Sequence, residues 1–126
     1  MILLDAPVFV RWAGGDAALG AERRGLLDRR TESLAMCQSA LVEIGEAWKA
    51  GLWSAELPLQ VWLETAISAH QVVLLPSTPS IVSRASQFTV GDVWDRLFLA
   101  TAIEHDLEVA TLDATLRQTL GIRHLF

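Results

Sequence analysis

Short apolar runs alternate with amphipathic stretches along this chain. Ile2-Leu3-Leu4, Ser33 to Met36, Gln71-Val72-Val73-Leu74-Leu75, Glu108 to Leu112 and His124-Leu125-Phe126 read as strands. Asp5, Pro76 and Asp113 stop three of them. Runs this short and this rich in Val, Ile and Leu suit strands covered on both faces. Helical spacing of apolar residues links them. It appears at Leu41, Ile44, Gly45 and Trp48, and at Leu59, Trp62, Leu63, Ala66 and Ile67 behind Pro58. It recurs at Ile81, Val82, Ala85 and Phe88, opened by Ser77-Thr78-Pro79, and from Trp94 through Thr101 to about Asp106. Leu19 to Arg30 is helical with a less regular stripe, and a further helix starts near Ala114. Strands alternating with helices pair in parallel through crossovers, so the pattern predicts an α/β fold with helices on both faces of the sheet.

Composition narrows the class. The 126 residues suit one domain, 1–126, with no linker or repeat. A content of 52% hydrophobic and 20% charged residues excludes disorder. No apolar run approaches the roughly 18 residues of a membrane span, and Asp5 ends the apolar start too early for a secretory signal. The single cysteine, Cys37, excludes an internal disulfide and a cysteine-based zinc site. These features predict a cytoplasmic protein. The net charge of −5 argues against a dedicated nucleic-acid scaffold.

The ends of the strands carry the candidate chemistry, because functional groups in such sheets gather beyond the carboxyl ends of the strands. Asp5 and Asp113 each follow a strand. Glu43 lies beside the apolar stripe of its helix, whereas Glu46 is one turn later and solvated. Asp92 and Asp95 sit three apart at the start of a helix, on one face. Each has a plain structural explanation: N-cap, first-turn acid or solvated face. That explanation fits Asp95 least, since Trp94 and Leu97 flank it. Taken together they predict one acidic cluster above the sheet. Two carboxylates within about 4 Å repel by roughly 4 kcal/mol at an effective dielectric of about 20. A hard divalent cation relieves that repulsion, and oxygen-only ligands suit Mg²⁺ or Mn²⁺. Such an ion activates water and stabilises the charge that develops on a phosphodiester. No Ser/His/Asp set and no glycine-rich phosphate loop competes; Gly14-Gly15 lacks the required spacing.

The order of these residues is a strand ending in Asp5, then Glu43 followed by Lys49 and Gly51, then Asp92 through Ala102, then Leu112-Asp113. It resembles the PIN-domain ribonucleases, in particular the VapC toxins of VapBC toxin–antitoxin modules, over nearly the whole chain. The resemblance implies a three-layer α/β/α fold on a central parallel sheet of about five strands. It also implies a Mg²⁺- or Mn²⁺-dependent endoribonuclease that acts on tRNA or rRNA. Asp5, Glu43, Asp95 and Asp113 match the four acidic positions, and Asp92 matches an additional acid of one subgroup. A homodimer and a small VapB-type antitoxin are implied as partners. The chain departs from the pattern at Ala6, where Thr or Ser is usual, at Pro7, and at Val93-Trp94.

The resulting expectation is metal-assisted hydrolysis, with Asp5 and Asp95 as direct ligands and Asp113 and Glu43 completing the set. Arg11 and Arg96 near the site are candidate substrate contacts. Arg23, Arg24, Arg29 and Arg30 form a solvated or antitoxin-binding face rather than an RNA track. Trp53, after Gly51, is the candidate exposed tryptophan. The alternative, favoured by Ala6-Pro7, is a catalytically weak or inactive PIN-like protein that acts only by binding its partner. A haloacid-dehalogenase-type phosphatase needs a second acid two positions after the first, where Pro7 stands.

Overall fold

The computed structural model describes residues 1–126. Five short strands form one all-parallel sheet: β1 (Ile2–Leu4), β2 (Leu34–Cys37), β3 (Val73–Leu75), β4 (Glu108–Ala110) and β5 (Arg123–His124), in the order β3-β2-β1-β4-β5. Seven helices flank it: α1 (Ala6–Ala13), α2 (Ala21–Asp28), α3 (Gln38–Lys49), α4 (Leu59–Ala69), α5 (Pro79–Ala85), α6 (Val93–Glu104) and α7 (Ala114–Arg117). This is the three-layer PIN-like α/β/α arrangement. No helix is long and apolar enough to cross a membrane.

The chain winds outward from β1 through β2 to β3, then returns to place β4 on the other side of β1. Leu3 pairs with Ala35 on one side and Val109 on the other. The winding direction therefore reverses between β1 and β4. A crevice opens at such a point, beyond the carboxyl ends of the two strands. Asp5 and Thr111 are the residues that follow those ends.

The inner strands are buried as the apolar pattern predicts, and Phe9, Met36, Ile44 and Leu99 fill one contiguous core around them. The outer strands are not covered on both faces. Val73 of β3 is exposed, as are both residues of β5, because each strand is at a sheet edge.

Several element boundaries differ from expectation. Helix α1 has no separate signal in the hydrophobic pattern, because Ala6-Pro7-Val8-Phe9-Val10 continues the apolar run of β1. Only Asp5 separates strand from helix. Its side chain accepts the Ala6 N–H, and Pro7 occupies the first turn. The stretch from Leu19 to Arg30 divides into a 3₁₀ turn (Ala17–Leu19) and α2, because Gly20 at φ 91° interrupts it. Helix α5 ends at Ala85, short of Phe88, and Thr78 caps its start.

Candidate active site

Asp5 is 8% exposed, at the floor of the crevice. Its two oxygens accept from the Ala6 N–H at 2.9 Å and from the Thr111 hydroxyl at 2.8 Å. The same Thr111 oxygen accepts the Asp113 N–H at 3.1 Å, so one fully buried hydroxyl ties the residue after β1 to the residue before α7. Burial is the main reason the Asp5 carboxyl titrates near pH 6 rather than 3.8; the two hydrogen bonds pull it down, and Asp95 and Asp113 push it further up.

Glu43 projects from α3, half-buried and without a hydrogen-bond partner. Burial, then the charges of Asp5, Asp92 and Asp95, raise its titration from 4.5 to about 7. Asp92 and Asp95 form a capping box at the start of α6. Asp95 N–H donates to Asp92 at 2.9 Å, and Asp92 N–H donates to Asp95 at 3.0 Å. This reciprocal pair gives Asp95 the structural role that its apolar neighbours seemed to deny it. Burial, followed by repulsion from Asp92 and Asp113, still raises the Asp95 carboxyl, with its bond to the Asp92 N–H opposing. Asp113 caps α7, and one of its oxygens accepts from Thr115 and Leu116.

Asp5, Glu43, Asp95 and Asp113 thus belong to one electrostatic group, and Asp92 joins it. Three of the five acids are N-caps, so the positive ends of α1, α6 and α7 offset part of the repulsion. The expected ligand shell is not pre-formed, however. No three Asp, Glu, His or Cys side chains converge closely enough to hold a metal ion. One oxygen each of Asp92, Asp95 and Asp113 accepts a backbone N–H at a helix start, and both oxygens of Asp5 are engaged. The donor chemistry, all oxygen and mutually repelling, fits a hard divalent cation. Asp92, Asp95 and Asp113 each keep one oxygen free of such bonds, and Glu43 keeps both.

Thr111 and Gly91 are the site residues that the sequence reading missed. The signal for Thr111 was faint: it is the one hydroxyl residue in the run Glu108 to Leu112. Gly91 has φ 65°, and a side chain there would collide with the Asp95 carboxylate. Cys37 caps the end of β2 without a side-chain bond to the helix N–H groups. Burial pushes its thiol pKa up, so it is a packed neutral group rather than a nucleophile.

The arginines are more structural than expected. Arg24 donates to the carbonyls of Arg11 and Trp12 in the last turn of α1 and of Asp16 beyond it. Arg30 donates to the Leu27 carbonyl and lies over the Trp12 ring. Arg23 reaches the Leu19 carbonyl, and only Arg29 of the four makes no such bond. Arg96 donates to the Gly91 carbonyl, which fixes it beside the capping box. Arg11 makes no side-chain bond and lines a cavity that also includes Glu43. Trp53 is not an exposed platform. Its indole N–H donates to the Ile44 carbonyl at 3.1 Å, and it packs edge-on against Trp48 and Trp62. Leu52, beside it, is the exposed residue.

The PIN domain family model matches residues 2–120, and the chain belongs to that family. PIN domains are generally nucleases, which typically use divalent metal ions, and the acidic group lies where the fold opens its crevice. A comparison with curated proteins found no significant match.

Proposed function

We propose that this protein is a Mg²⁺- or Mn²⁺-dependent endoribonuclease, the toxin of a two-component toxin–antitoxin module, cleaving phosphodiester bonds of tRNA or rRNA. The observation that carries the reading is the mutual electrostatic coupling of Asp5, Glu43, Asp95 and Asp113 at the point where the sheet reverses direction. A fold gains no stability from such repulsion, and helix N-termini offset only part of it.

Asp5 and Asp95 would hold the cation, with Asp113 and Glu43 completing the set and Asp92 as a further donor. The bound ion would supply Lewis-acid stabilisation of the phosphodiester and activation of water. Thr111 holds the Asp5 carboxylate in one orientation from the side opposite Ala6, so this chain has a hydroxyl on that carboxylate although position 6 lacks one. Glu43, half-buried and without a hydrogen-bond partner, is free to reach the cation directly or through water. Arg96, anchored on the Gly91 carbonyl, and Arg11 would contact the RNA. A homodimer and a small VapB-type antitoxin belong to the same reading, as does a cytoplasmic location.

Purified protein incubated with total tRNA and rRNA tests the activity. Discrete fragments in Mg²⁺ or Mn²⁺ that disappear with EDTA, and in Asp5→Asn and Asp95→Asn, are the expected result. Uncut RNA from folded protein would favour a second reading, a binding-only PIN-like module. The absence of a pre-formed ligand shell and the Ala6-Pro7 sequence are the observations on its side.

A further inference from the structure

We propose that the cavity between α1 and α3 is a nucleobase subsite beside the carboxylates, with Arg11 holding a phosphate of the same nucleotide. The inference rests on the nuclease reading and names what that site recognises besides the scissile bond. The cavity measures about 280 Å³, and Ala6, Pro7 and Val10 from α1 face Ile44 and Ala47 from α3 across it. That volume is near the lower end for small-molecule sites, about 300 Å³. It accommodates one planar ring system rather than a length of folded peptide. Glu43 lines the cavity and belongs to the acidic group, and Ala6 is the neighbour of Asp5, so the cavity adjoins the carboxylates.

Three features select a base. The walls are mainly apolar, and Trp53 closes one side as a rigid surface held by its bond to Ile44 and its two tryptophan neighbours. Glu43 and Asp16 on the lining disfavour a phosphate inside, while their oxygens can accept from the amino and imino groups of a base. Arg11 is half-buried on the lining, and its guanidinium makes no hydrogen bond or ion pair. Of the ten basic residues only Arg29 and Lys49 share that condition, and neither lines this cavity. Arg11 is therefore the free cation available to the phosphate of a nucleotide whose base enters the cavity.

The test is a ¹⁵N–¹H NMR titration of the protein in EDTA with each of the four nucleoside 5′-monophosphates. The expected result is movement of the Trp53 indole, Ala47 and Ile44 signals, with affinities that differ between bases by about tenfold or more. Arg11→Ala should weaken the monophosphates and leave the nucleosides unchanged. Ala47→Phe, which fills the cavity, should abolish base-dependent shifts. Leu120→Ala, at an exposed position outside the cavity, should keep the fold and the shifts. Movement equal to that with inorganic phosphate, or no movement of these signals, would overturn the proposal. So would movement with N-acetyl-leucinamide and none with nucleotides, which would assign the cavity to a protein side chain. Base-dependent shifts from a protein that leaves RNA uncut in Mn²⁺ would sink the nuclease reading while the subsite stood. Cut RNA without the shifts would do the reverse.

Discussion

Replacing Asp5 with Asn should stabilise this protein at neutral pH, although Asp5 caps a helix and is hydrogen-bonded at both oxygens. In the fold its carboxyl titrates near pH 6, against an ordinary 3.8, mainly because it is buried. A group whose folded value is raised contributes fully below its unfolded value, and that contribution is lost as pH rises through the folded value. For Asp5 the loss therefore falls between about pH 4 and pH 6. At about 1.4 kcal/mol per tenfold change in proton affinity, it amounts to about 3 kcal/mol. The amide removes the charge and keeps an oxygen for the Ala6 N–H. Its nitrogen then faces the Thr111 hydroxyl, which must accept where it now donates, at a cost of about 1 kcal/mol. The net gain at pH 7.5 is about 2 kcal/mol, or about 6–8 °C in Tm for a domain of this size. At pH 4 the gain should vanish, leaving the variant equal to the parent or slightly less stable. Thermal unfolding followed by circular dichroism in EDTA, at both pH values, measures this directly. A variant less stable than the parent at pH 7.5 would refute the reasoning and assign Asp5 to the helix cap alone.

Other changes have equally definite outcomes. Thr111→Val leaves a buried Asp5 oxygen and the Asp113 N–H without partners, so it should cost about 1–3 kcal/mol in urea unfolding, with Thr111→Ser restoring most of it. Gly91→Ala combines a φ of 65° with a clash against the Asp95 carboxylate. It should destabilise by about 1–3 kcal/mol and shift the Asp92 amide signal in NMR spectra as the capping box opens. Mn²⁺ affinity should rise with pH until Asp5 and Glu43 have both lost their protons, around pH 6 and 7. Glu43→Gln should remove the upper of these two inflections in calorimetric titrations.

Much of the sheet was legible because its inner strands are short apolar runs ended by single polar residues. Ile2-Leu3-Leu4 before Asp5 is the clearest case. Helix α1 was not, because a strand and a helix that are both buried share one apolar run, and only the Asp5 cap marks the change. The four acids were legible individually, but their geometry was not. Sequence spacing places Asp92 and Asp95 on one face of α6 yet does not reveal that each accepts the other's N–H. The arginines of α2 read as a charged face because spacing cannot show that carbonyls at the end of α1 lie within reach of Arg24. Thr111 escaped for a similar reason, since its partner Asp5 is 106 positions away along the chain.

The central claim is that these carboxylates, several of which cap helices, form a divalent-cation site. Calorimetric titration of Mn²⁺ into the metal-free protein at pH 7.5 tests it most directly. The account predicts saturable binding by the parent and its loss in both Asp5→Asn and Asp95→Asn, each confirmed as folded. No binding by the folded parent, or binding left intact in both variants, would contradict it.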